Sequence, residues 1–176
     1  MELILLAGNS NHNKEWIEGV ERSVGDLFEK THIQYYKHWR TEGSINVNHE
    51  SKELARYLKG KKDVVILAKS AGIALYLKCV HEGKSEKFPC LFLGLPFYWC
   101  LSEGLPIEHW LKGFDARAYF VQKELDPAMG GDELVRMLNS LKVSNHRIKV
   151  IKGNDHHYED IDSIKESLIE LINRNR

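Results

Sequence analysis

Asp63-Val-Val-Ile-Leu-Ala-Lys-Ser70-Ala-Gly-Ile-Ala-Leu-Tyr-Leu77 is the stretch that decides how this chain reads. Residues 64–68 form a continuous apolar run, the pattern of a strand covered on both faces. A helical pattern follows over residues 72–80. The junction, Ala68-Lys69-Ser70-Ala71-Gly72, is small-x-Ser-x-small. A tight strand-to-helix turn demands this, because bulky side chains two positions from its centre collide across the turn. Such a turn lifts the serine oxygen out of the sheet. It also aims helix N-terminal N–H groups at a nearby negative charge. A helix N-cap is the other role open to this serine. Lys69 is expected to be solvated.

The same alternation extends in both directions. Strand-like runs are expected at residues 3–7, 33–36, 64–68, 90–95, 118–121 and 148–151. Helical periodicity fills residues 15–28, 50–58, 72–80, 133–141 and 161–172, with Asp160 placed to cap the last. Strands alternating with helices predict an α/β fold: a three-layer αβα sandwich on a parallel sheet of about six strands, with right-handed crossovers. The 176 residues fit one domain, 1–176, and residues 97–114, rich in aromatics, form either a small lid or a loop with a short helix.

Composition narrows the function classes. Lys plus Arg and Asp plus Glu are 25 each, so formal net charge is zero and nothing favours nucleic acid or an anionic surface as partner. The basic tract 173–176 reads as a frayed helix end. Residues 1–8 read as a buried first strand, lacking the basic start of a signal peptide, and no apolar run reaches membrane-spanning length. Cys79, Cys90 and Cys100 show no metal-ligand or disulfide spacing, and read as reduced, buried thiols of a cytoplasmic protein. No metal and no cofactor are expected. Without G-x-G-x-x-G or a P-loop, a nucleotide-binding reading has no support.

A serine hydroxyl needs a base to take its proton, and the base needs a third group to orient it. Two loops after later strands supply candidates. Residues 118–121 lead into Lys123-Glu124-Leu125-Asp126-Pro127, and residues 148–151 into Gly153-Asn154-Asp155-His156-His157-Tyr158. Carboxyl ends of parallel strands are where open α/β sheets place their sites. Asp126 is the candidate acid with Glu124 as fallback. His156 is the candidate base with His157 as fallback.

With Ser, acid and His in this order, the chain resembles the α/β-hydrolase superfamily, and more narrowly its small, single-domain serine hydrolases with little or no cap. The resemblance covers nearly the whole chain. Ala68-Lys69-Ser70-Ala71-Gly72 is similar to the superfamily's nucleophile elbow, Asp126-Pro127 to its acid loop, and Gly153-Asn154-Asp155-His156 to its histidine loop, which favours His156 over His157. The resemblance implies strand order 2-1-3-4-5-6 and an oxyanion hole made by the backbone N–H groups of Asn9 and Ala71. Departures are Ala7 before Gly8, Ala68 for the first elbow glycine, Lys123 for the acid-loop glycine, and no HGGG signature.

The implied activity is cleavage of a carboxylic ester or related small-molecule acyl substrate through an acyl-enzyme. A catalytically weak or inactive binding module on the same fold is the alternative. Phe97, Tyr98 and Trp99, with Trp110, are candidates to line an apolar acyl pocket or simply to pack. His12 and Trp16 follow the oxyanion loop, and Trp16 is expected mainly in the core.

Overall fold

A computed structural model describes residues 1–41 and 43–173. The expectation for the tract 173–176 thus falls largely outside the described residues. Six parallel strands form one sheet: β1 (Glu2–Leu6), β2 (Lys30–Ile33), β3 (Val64–Lys69), β4 (Cys90–Leu93), β5 (Ala118–Lys123) and β6 (His146–Ile151). Their order is β2-β1-β3-β4-β5-β6, as the resemblance implies. Helices α1 (His12–Val24) and α7 (Ile161–Asn173) pack together on one face, while α2 (Val47–Leu58), α3 (Ala71–His81) and α5 (Ile107–Leu111) pack together on the other. Short α4 (Phe97–Ser102) lies against α5, and α6 (Gly131–Ser140) lies against β5 and β6.

The core follows from the apolar runs. Every residue of β3 and β4 is buried, as are Leu3 to Leu6 of β1. Each fully buried Leu contributes about 1.5–3 kcal/mol relative to an exposed one. At the sheet edge, β6 buries its residues only partly. Cys79, Cys90 and Cys100 are buried free thiols, and burial pushes each of them up, Cys79 and Cys100 to about 12. Residues 97–114 contribute Cys100, Ile107, Trp110, Leu111 and Phe114 to the core. Among the described residues no helix is long and apolar enough to cross a membrane.

Element boundaries differ in instructive ways. β2 ends at Ile33, where residues 33–36 were expected to be strand. β-type aromatics suggested the longer run, but pairing with β1 ends at Leu5↔Ile33. Beyond it Tyr36 turns inward and its hydroxyl donates to the Ala7 carbonyl at 2.8 Å. β4 stops at Leu93 because Gly94 takes φ +65°, which turns the chain out of the sheet. Asp160 does cap α7: its carboxylate accepts from Ser163 N–H at 3.0 Å.

Candidate active site

Ser70 closes β3 and precedes α3. Its backbone has φ +51° and ψ −122°, a region non-glycine residues rarely occupy. The surroundings hold it there. Ser70 N–H donates to Leu93 O at 3.1 Å, and Gly72 N–H donates to Ala7 O at 3.0 Å. A Cβ on Gly72 would stand 2.5 Å from the Leu6 carbonyl oxygen, so the small residue of the motif is a condition of packing the turn against β1.

Asp126 and His156 come to the same rim from the loops after β5 and β6. His156 Nε2 lies 2.9 Å from Ser70 Oγ, and Nδ1 lies 2.9 Å from both oxygens of Asp126. The carboxylate only accepts, so Nδ1 carries the proton and the Nε2 lone pair faces the serine hydroxyl. The Asp126 side chain is fully buried, and Ala128 N–H and the Tyr158 hydroxyl donate to it at 2.8 and 2.7 Å. The fallback residues stand apart: Glu124 and His157 are both exposed, and the Asp155 carboxylate accepts from His157 N–H at 2.7 Å.

Tyr158 is a site residue that sequence reasoning missed. It is buried, its hydroxyl accepts from Lys123 N–H at 3.1 Å, and burial beside Asp126 raises its pKa well above the usual phenol range. Its only sequence signal was an aromatic two places after His156. Gly94 is the second omission. A Cβ there would meet Tyr158 at 2.6 Å and His156 Cε1 at 2.8 Å, so the histidine loop rests directly on the glycine that ends β4.

Lys123, where the acid-loop glycine is usual, links the two loops. Its Nζ lies 2.8 Å from Asp155 Oδ1, and its methylenes lie against Gly153, which at φ +148° leaves no room for a Cβ.

The first loop is clamped around Asn9. The Asn9 carbonyl accepts from His38 Nε2 at 2.5 Å, and its side-chain oxygen accepts from Ile45 N–H at 2.8 Å. Both oxygens of Asn9 are therefore held by neighbouring segments. Among the described residues no protein group accepts from the N–H of Asn9 or of Ala71.

Lys69 is not solvated, contrary to expectation. It is 6% exposed, its Nζ donates to Asn13 Oδ1 at 2.7 Å, and Nζ lies 4.8 Å from the centre of the Trp16 ring. The turn that presents Ser70 outward points its predecessor beneath α1. Burial lowers the Lys69 pKa to about 8.

A cleft of about 510 Å³ opens beside Ser70, bordered by Asn9, Asn13, Lys69, His156 and Tyr158. Trp16 and His12 border it too, and Trp16 Nε1–H donates to Tyr158 O at 2.6 Å. Phe97, Tyr98 and Trp99 are not in this wall. The first turn of α4 directs the Tyr98 hydroxyl to Glu133 of α6, at 2.7 Å, and packs Phe97 and Trp99 against the core.

No protein-family model matches the sequence, and no curated protein matches it. Solved structures do. An esterase from Pyrococcus furiosus superposes with a TM-score of 0.74 at 15% identity, over 98% of this chain and 82% of its own. Alpha/beta hydrolase domain-containing protein 10 from mouse gives 0.72 at 14% identity, over 99% and 90%. The chain has the α/β-hydrolase fold. An uncharacterized protein from Bacillus cereus gives 0.73 at 18% identity, and this chain, 98% covered, spans 60% of that protein's length.

Proposed function

We propose that this α/β-hydrolase-fold chain is a serine hydrolase acting on a carboxylic ester or related small-molecule acyl substrate, with Ser70 as nucleophile, His156 as base and Asp126 as supporting acid. One observation carries the proposal: the unbroken relay from Ser70 Oγ through His156 to a buried Asp126, with 2.9 Å on each side of the imidazole.

In the first half-reaction the Ser70 oxygen bonds to the acyl carbon while its proton passes to His156 Nε2. The bond to the leaving alkoxide breaks, and that alkoxide takes the proton from His156. In the second half-reaction a water oxygen attacks the acyl-enzyme, its proton passes to His156, and the Ser70 oxygen leaves and recovers that proton. Asp126 fixes the tautomer and offsets the imidazolium charge. The free N–H groups of Asn9 and Ala71 are the donors for the oxyanion, each lowering the barrier by about 3 kcal/mol. The α3 N-terminus adds its partial positive charge there.

The test is a fluorophosphonate probe. Wild-type protein labels at Ser70, and Ser70→Ala and His156→Ala do not. A wild-type protein that fails to label is a binding module built on the hydrolase fold.

A further inference from the structure

We propose that the cleft beside Ser70 binds an acyl substrate bearing a second, anionic group, a carboxylate, which the Lys69 ammonium holds. The assignment rests on Ser70 being the nucleophile and deepens that reading by naming the substrate class.

Lys69 borders the cleft and is the residue immediately before the nucleophile. Burying an ammonium is costly unless an opposite charge compensates it. Among the described residues no carboxylate lies within ion-pairing distance of its Nζ. An ammonium has three N–H donors, and Asn13 Oδ1 takes one of them. The Trp16 ring face offsets part of the charge and leaves the remaining donors free.

The acidic groups around the cleft do not fill this need. Asp126 is held by His156, Tyr158 and Ala128. Asp155 is held by Lys123 and the His157 N–H. Glu159 stands exposed, where solvent screens it. His12 and His157, also exposed, add further donors to the wall. An anionic substituent reaching the Asn13 side of the cleft would complete the shell of Lys69 while the scissile carbonyl lies at Ser70. A charge-assisted contact made there is stronger than its counterpart in water.

The test compares mono-p-nitrophenyl glutarate with p-nitrophenyl valerate, esters of equal chain length that differ by the terminal carboxylate. Wild-type protein is expected to favour the glutarate hemiester in kcat/KM by at least about tenfold, and Lys69→Met to lower that ratio by about tenfold. Lys69→Arg is expected to retain a preference for the anion. Free glutarate is expected to slow fluorophosphonate labelling of wild-type Ser70 more than glutaramide does, a comparison that needs no variant. Equal protection by glutarate and glutaramide, or labelled protein that cleaves valerate as well as the hemiester, overturns the carboxylate assignment and leaves the hydrolase reading standing. Wild-type protein that neither labels nor cleaves either ester removes the hydrolase reading itself.

Discussion

The Tyr158 hydroxyl donates to Asp126 Oδ2 at 2.7 Å, reaching from the loop after β6 to the loop after β5. The Tyr158 phenol oxygen in turn accepts from the backbone N–H of Lys123 at 3.1 Å. One phenol therefore holds the Asp126 carboxylate in place and ties together the two loops that carry Asp126 and His156.

Replacing Tyr158 by Phe keeps the ring and removes both bonds, leaving a backbone donor and a buried carboxylate oxygen short of a partner. The expected loss of stability is about 1–3 kcal/mol. The expected loss in kcat is on the order of tenfold, corresponding to ~1.4 kcal/mol of misoriented imidazole. Thermal unfolding and p-nitrophenyl ester kinetics measure both. An unchanged kcat would show that Ala128 N–H and His156 suffice to orient Asp126.

Gly94 bears on the same geometry from below. Gly94→Ala places a methyl 2.8 Å from His156 Cε1 in a backbone at φ +65°. The histidine loop must shift to make room, and a displacement of the imidazole near 1 Å costs about a hundredfold in rate. The rate of fluorophosphonate labelling at Ser70 reports it. Labelling at the wild-type rate would show that the histidine loop can yield without loss of alignment.

The strained turn at Ser70, with φ +51°, makes a prediction about stability alone. Such a conformation costs a non-glycine residue about 1–3 kcal/mol. Ser70→Gly relieves it, and Ser70→Ala does not. The glycine variant is expected to melt about 2–4 °C above the alanine variant, the shift given by ~1 kcal/mol in a chain of this size. Equal melting temperatures rule out stored strain at the elbow.

Lys69 makes a prediction about pH. Its folded pKa of about 8 lies below the ordinary 10.5. Between those values the unfolded chain binds more protons than the folded one, so the folded state gains stability as pH rises through that window and the penalty is full below it. The difference of roughly 2.5 units corresponds to about 3 kcal/mol at neutral pH, an upper bound because the Asn13 bond offsets part of it. Lys69→Met is expected to be more stable than wild type near pH 7, with the advantage shrinking toward pH 10.5. Denaturant titrations at pH 7 and pH 10 measure it. A variant less stable at pH 7 means the ammonium's contacts with Asn13 and Trp16 outweigh its desolvation.

The strands themselves were legible because parallel strands buried on both faces must be continuous apolar runs, and β1, β3, β4 and β5 are such runs, whereas their order came only with the resemblance carried by the elbow, acid loop and histidine loop. The β2 boundary was not, because Tyr35 and Tyr36 look like strand residues to any rule of local propensity. Whether they pair depends on where β1 stops offering partners. Lys69 misled for a related reason. Charge predicts exposure on average, but the elbow forces the residue before its apex beneath α1.

Order and chemistry along the chain settled which residues could meet: a serine on a turn of small residues, then an acid loop, then a histidine loop, each after a strand. Distance was decided only by folding. Ser70 and His156 are 86 positions apart, and the packing of Gly94, Tyr158 and the sheet rim sets the 2.9 Å between their atoms. A chain of residues encodes periodicity and sequence order, which are local. Convergence of side chains is a property of the closed core, where each contact exists only because distant ones hold it in place.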